Sequence, residues 1–151
     1  MKLKNIQKFI QIYLKKLNEN VKNNKLITVI TVVKNSEKTI EKCINSVINQ
    51  SHKNFEYIII DGDSNDSTNT IINKYKDKIN IHITEKDMGI WDAMNKGLSL
   101  AKGDLIGIVN GDDILLPDAT NILIDYYYKY DDAEFFFGSV KKHWGIIHGF
   151  Y

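Results

Sequence analysis

A chain of 151 residues, 43% hydrophobic and 26% charged, has room for one domain with a sizeable core and the balance of a soluble globular protein. All 20 basic residues are lysines, which excludes a bidentate guanidinium grip on phosphate; a bound polyphosphate would need a metal, backbone N–H groups or lysine. Seven of those lysines, against the single acid Glu19, lie in residues 1–25, so the remaining body is acidic and ill-suited to nucleic acid, and the lone Cys43 excludes an internal disulfide or a cysteine-based zinc cluster.

Along residues 1–25, Ile6, Phe9, Ile10, Tyr13, Leu14 and Leu17 fall at helical spacing with Lys8, Lys15 and Lys16 off the stripe. The spacing predicts an amphipathic basic helix, packed on its own domain or lying on an anionic membrane surface through residues 1–17, with a floppy leader as the further alternative. Asn18–Lys25 reads as a linker. The longest apolar runs are shorter than a membrane span and no signal-peptide pattern is present, so the expected place is the cytoplasm, with peripheral contact at the inner face of its membrane.

From residue 26 to 151 a second unit alternates strand and helix. Leu26–Val33 is an unbroken β-branched run, as for a strand covered on both faces. Ile40, Cys43, Ile44, Val47 and Ile48 mark a helix, with Asn35 or Ser36 as its cap and Cys43 in the core. Phe55–Ile60 is predicted as a strand, Ser67–Tyr75 as a short helix, and Ile79, Ile81 and Ile83 as a third strand. Ile90–Ala101 reads as a helix stopped by Gly103, and Leu105–Val109 as a buried fourth strand. A helix is expected to start at Pro117 and run to about Tyr130, before a fifth strand over Ala133–Phe137. Such alternation implies an α/β fold with a mostly parallel sheet, and ligands of such sheets bind beyond the carboxyl ends of the strands.

Two acidic turns fall at those ends. Asp61-Gly62-Asp63-Ser64-Asn65-Asp66 follows the second strand, and Asn110-Gly111-Asp112-Asp113 follows the fourth. The first is not a calcium loop, since Asp66 and Ile72 stand where that loop needs glycine and glutamate. Turn and cap chemistry accounts for much of it, with Asp66 or Ser67 capping the next helix. Asp112 and Asp113 are not obvious caps. They suit Mg²⁺ or Mn²⁺, which one or two carboxylates hold while substrate phosphates complete the shell. A third segment, Asp87–Gly97, carries small Ala93 and Gly97 four apart, which allows close approach to a neighbour; Trp91 and Met94 read as core. His52, His82, His143 and His148 lie in no metal-binding spacing.

In order, these segments resemble the inverting nucleotide-sugar glycosyltransferases of family two, which have the GT-A fold, a Rossmann-like sheet flanked by helices. Thr28–Glu37 looks like the family's opening strand and Asn-x-Glu turn. Ile59–Thr68 is similar to its Asp-(Asp/Gly)-Gly-Ser-x-Asp-x-Thr segment, and Asp87–Gly97 to its Gly…Ala-x-Asn-x-Gly block, in the wording of the subgroup that builds bacterial surface polysaccharides. Asn110–Asp113 stands where the family carries its Asp-x-Asp metal motif. The resemblance covers about residues 26–140.

The resemblance implies that Val33, Asn35, Glu37, Asp61 and Asp63 belong to the nucleotide-sugar site, Glu37 and Asp61 reading base and ribose. Asp92 and Asn95 would lie near the diphosphate or donor sugar. Asn110 and Asp112 would border the ribose and diphosphate, with Asp112 and Asp113 holding Mn²⁺ or Mg²⁺. The partners implied are a nucleoside-diphosphate sugar, a UDP-sugar first, and a saccharide or lipid-linked acceptor. Two departures stand out: Asn110 replaces the first carboxylate of Asp-x-Asp, a loss that implies either compensation by Asp113 or weaker metal affinity, and Asp63 stands where glycine is usual. The family's general base lies well downstream with the acceptor-binding half, and Gly138–Tyr151 contains no Asp or Glu. The expectation is therefore a C-terminally truncated donor-binding domain of low or no activity alone. The alternatives are a non-catalytic nucleotide-binding module partnering another transferase, and a nucleotidyltransferase, disfavoured because Val33–Lys38 lacks a glycine-rich basic loop.

Overall fold

The computed structural model describes residues 24–130 and 132–138 in full, and residues 140–142 and 145–147 as backbone. The amphipathic segment expected over residues 1–17, and His143 and His148, lie outside the described residues.

Four parallel strands form the main sheet in the order β3-β2-β1-β4: β1 (Ile27–Val33), β2 (Phe55–Asp61), β3 (Ile81–Thr84) and β4 (Leu105–Asn110). The central pair, β1 and β2, is buried almost throughout, which is why both read as continuous β-branched runs. Helices α1 (Ile40–Ile48), α2 (Thr68–Asn73) and α4 (Ala119–Lys129) cover one face, where Ile40, Cys43, Ile44, Val47, Ile72 and Ile124 meet Val29, Val33, Tyr57 and Ile59. Helix α3 (Ile90–Leu100) covers the other, setting Ala93 and Met94 against Ile30, Val32, Ile58 and Ile60. Gly97 lets α3 lie directly on β1, because a β-carbon there would overlap Ile30 Cγ2.

The end of the sheet opposite the acidic turns is tied by polar contacts. Glu56, buried in β2, accepts from Thr28 Oγ1 at 2.7 Å and Lys102 N at 3.0 Å. Lys25 Nζ and Leu26 N both meet the Asp104 carboxylate at 2.9 Å, and His52 Nε2 lies 2.8 Å from the Lys25 carbonyl and 3.0 Å from that of Asn54. His52 is thus a structural residue.

Four expectations change. First, among the described residues β4 is an edge strand, not a buried one: Ile106 and Ile108 are exposed on the α3 side, since α3 sits over β1 and β2. Second, Ala133–Phe137 is not a strand; Phe135 and Phe137 are exposed, and the next strands, β5 (Val140–Lys142) and β6 (Gly145–Ile147), pair antiparallel as a separate ribbon. An aromatic run has strand propensity, but propensity needs a neighbouring edge to express it. Third, α4 starts at Ala119 rather than Pro117, because Asp118 takes a left-handed φ of 64°. Fourth, neither Asn35 nor Ser36 caps α1 by its side chain; Asn35 turns the chain at φ 49° and the Ser36 carbonyl accepts Ile40 N at 2.9 Å. Among the described residues no helix is long and apolar enough to cross a membrane.

Candidate functional site

Register brings the acidic turns to one edge. Val33 pairs with Asp61, Asp61 with Thr84, and Val32 with Asn110, so β1, β2, β3 and β4 all release their chains at the same end. Gly62 N donates to the Val33 carbonyl at 2.9 Å and Gly111 N to the Val32 carbonyl at 3.0 Å, which carries the ladder one residue into each turn. Above this edge opens a cleft of about 510 Å³. Its walls are Val33, Lys34 and Ser36 after β1, Asp87, Gly89 and Ile90 at the start of α3, and Asn110, Gly111 and Asp112 after β4.

Asp61 does not open into that cleft. It is fully buried, and its carboxylate accepts from Ser64 Oγ, from Ser64 N at 3.2 Å and from Asn69 Nδ2 at 2.6 Å. Asn69 Oδ1 in turn accepts from Thr84 Oγ1 at 2.9 Å, and Ser64 Oγ from Asn35 N at 2.8 Å. One buried charge, satisfied by several donors, therefore joins the ends of β1, β2 and β3 to α2.

Asn35 and Glu37 extend the same weave. Asn35 Oδ1 accepts from Asn65 N at 2.9 Å, Glu37 Oε2 from Ser67 N at 3.0 Å, and Asp66 Oδ2 from Glu37 N at 3.1 Å. Asp66 Oδ1 also accepts from Thr68 N at 2.9 Å, satisfying an orphan donor at the start of α2. Neither Asn35 nor Glu37 is among the residues lining the cleft. Asp63 is exposed with φ 63°, the conformation that a glycine takes without steric cost.

The start of α3 forms the opposite wall. Gly89, at φ 117°, donates its N–H to Asp87 Oδ1 at 3.1 Å, and Asp92 Oδ2 accepts from Met88 N at 3.1 Å. That bond, with Lys96 Nζ 3.2 Å away, holds the Asp92 carboxyl below the usual carboxylate range. Lys96 also reaches Glu85 Oε1 at 3.0 Å. Asp92 thus braces the turn from behind, while Asp87 faces the cleft; Asn95 is exposed one helical turn further on, outside the lining. Asp87 was not among the site residues expected from sequence. Its signals were the glycine after Asp61, where a β-carbon would overlap Asp87 Oδ2, and the glycine two residues after Asp87 itself.

At the end of β4, Asp112 is exposed and lines the cleft, whereas Asp113 Oδ2 accepts from Asn110 Nδ2 at 3.1 Å and does not line it. That bond turns Asn110 Oδ1 the other way, where it is buried without a partner among the described residues. Beneath it, Cys43 Sγ donates to the Asn110 carbonyl at 3.4 Å. Burial pushes this thiol up to about 11, helped by the Asp113 and Asp112 charges, so Cys43 is a core residue, as expected. Among the described residues no three His, Cys, Asp or Glu side chains converge as a metal cage. The exposed Asp112 carboxylate fits a hard divalent ion only when ligand phosphates complete its shell.

With this geometry, relatives are informative. The family model described as "Glycosyl transferase family 2" matches residues 28–145. The chain belongs to glycosyl transferase family 2. Within the family it is 28% identical over 126 residues to the glycosyltransferase GlyG of Streptococcus pneumoniae, covering 74% of this chain and 42% of GlyG. It is 35% identical over 91 residues to the putative teichuronic acid biosynthesis glycosyltransferase TuaG of Bacillus subtilis, covering 58% of this chain and 36% of TuaG. Residues 1–349 of S. aureus TarS, solved in complex with UDP-GlcNAc, superpose with a TM-score of 0.65 at 26% identity, over 70% of this chain and 32% of that one. The chain therefore spans less than half the length of each.

Proposed function

We propose that this family 2 chain binds a UDP-sugar in the cleft and supplies the donor side of a sugar transfer to a polysaccharide or lipid-linked acceptor. The observation that carries the reading is the cleft itself: about 510 Å³ at the carboxyl edge of a parallel sheet, with the carboxylate residues Asp87 and Asp112 in its lining. TarS, with its bound UDP-GlcNAc, supports UDP as the nucleotide, and TuaG supports a cell-surface polysaccharide as the product.

In this reading Val33, Lys34 and Ser36 flank the nucleoside, and the Asp61 network with Asn35 and Glu37 keeps the two loops beside it in shape. Asp112 would hold Mn²⁺ or Mg²⁺, with Asn110 beside it in the lining; the ion would supply the Lewis-acid charge neutralisation that arginine cannot provide in this chain. Lys34 adds a cation on the β1 wall. Deprotonation of the acceptor hydroxyl needs a general base.

Titration calorimetry with UDP, with and without Mn²⁺, tests the reading. Metal-dependent binding that Asp112→Ala weakens at least tenfold is the expected result. UDP binding that is absent, or indifferent to both metal and Asp112, would defeat it. Turnover of UDP-sugars at an ordinary enzymatic rate would instead show that this chain holds the whole catalytic set.

A further inference from the structure

Large apolar side chains are exposed at several places among the described residues. On α3, Trp91, expected in the core, is 76% exposed beside Met88 and Ile90, because Ala93 and Gly97 take the sheet side of the helix. Ile106 and Ile108 lie open on β4, and Phe135 and Phe137 in the segment after α4. The outer face of α4 is different, because a chain end lies beside it. There Ile122, Tyr126 and Tyr130 are exposed at i, i+4 and i+8, on the opposite side of the helix from Ile124, which packs on the sheet. The Tyr126 and Tyr130 rings are 5.7 Å apart, with Lys129 Nζ 4.9 Å from the Tyr130 ring centre, so the three positions form one continuous stripe.

The chain end is fixed by Lys25. Its Nζ lies 5.4 Å from the ring centre of Tyr127, in the last turn of α4, and 2.9 Å from Asp104 Oδ1 at the start of β4. Residues 1–23 lie outside the described residues, and the apolar stripe read from their sequence is Ile6, Phe9, Ile10, Tyr13, Leu14 and Leu17. The linker over residues 18–24 can reach about 23 Å when extended, and the α4 stripe is only about 12 Å long, so the segment can lie along all of it. Charge agrees: residues 1–25 hold seven lysines and one acid, whereas residues 118–134 hold five acids and one lysine. The same acids make the α4 face a poor surface for anionic lipid. The open edge of β4 calls for another strand, whereas a stripe at helical spacing packs on a helix. A tethered segment also meets its site at millimolar effective concentration, so it needs less than the roughly 800 Å² per side of a free partner.

We propose that residues 4–17 dock as a helix on the outer face of α4, their apolar stripe lying along Ile122, Tyr126 and Tyr130 and their lysines beside the acids of residues 118–134. The chain thereby covers its own exposed aromatic face. This inference stands apart from what the cleft binds.

Amide hydrogen exchange of the full chain, read by NMR, tests the docking. Amides of residues 4–17 are expected to exchange about tenfold or more slower than free chain. The triple variant Ile122→Ser, Tyr126→Ser, Tyr130→Ser is expected to lose that protection while β1 keeps its own, which also shows that the variant folds. A nitroxide on Lys8→Cys locates the segment without disturbing α4, since Cys43 is buried and stays unlabelled. It is expected to broaden the amide signals of residues 122–130 more strongly than those of Ile106, Ile108 or Trp91. Exchange of residues 4–17 at the free-chain rate, protection indifferent to the triple variant, or broadening centred on β4 or α3 overturns the proposal. Protection that grows with protein concentration overturns it in favour of a second copy. Free exchange in solution together with capture on vesicles of phosphatidylcholine and phosphatidylglycerol overturns it in favour of a membrane.

Discussion

The turns after β2 and β4 look alike on paper, each an apolar strand running into aspartates and glycine, yet they are built for different work. After β2 the leading carboxylate, Asp61, is fully buried and takes its donors from Ser64 and Asn69. After β4 the leading residue is an amide with an orphaned oxygen, and the carboxylate that follows, Asp112, stands open in the cleft. An acid after a strand is therefore ambiguous by itself. What separates scaffold from ligand site is the number of protein donors already committed to it.

The largest test of that contrast is Asp61→Ala. It strips several donors of a charged acceptor and should cost about 3 kcal/mol in urea or thermal unfolding. Asp112→Ala, on the open turn, should leave the unfolding midpoint unchanged; equal destabilisation by the two would erase the distinction.

Next comes Cys43, which lies under the Asn110 carbonyl. Its folded pKa of about 11 exceeds the ordinary thiol value of 9.0. The stabilisation this represents is complete below the unfolded pKa and fades as pH rises toward 11. Unfolding measured between pH 8 and 11 should therefore lose on the order of 2 kcal/mol, less in Cys43→Ala. In the native protein at pH 8, iodoacetamide should label Cys43 only on the unfolding timescale.

A smaller effect on stability, with a larger one on binding, is expected of Gly62→Ala. Its new methyl displaces Asp87 from the cleft wall. UDP affinity should change severalfold in calorimetry while stability falls by about 1 kcal/mol, the low end of overpacking costs. The smallest effect is Asp63→Gly, which relieves a left-handed aspartate and should raise stability by roughly 0.5–1 kcal/mol, read from the unfolding midpoint.

The sheet was legible because buried parallel strands and amphipathic helices leave period and composition in the chain, as Val29, Ile58, Ile44 and Ile72 do. That both acidic turns share an edge follows from parallel topology, and it held. What was not legible depends on neighbours. Ile106 and Ile108 look like core until the sheet order leaves β4 at an edge and α3 over β1 and β2. Trp91 looks like core until Gly97 fixes which face of α3 meets Ile30. Asn35 and Glu37 are tied to the β2 loop, a pairing across about 30 positions that no local pattern announces. Asp87 enters the cleft only because Gly62 makes room.

The contact between Gly97 and Ile30 has reach. Helix α3 is a stiff rod, and the seven-residue step from Gly97 to Ile90 spans about 10 Å along its axis. A single added methyl at the far end would lever the rod off the sheet and swing Gly89 and Ile90 at the near end. The opening of the cleft is thus gauged by one missing carbon on the distant side of the wall.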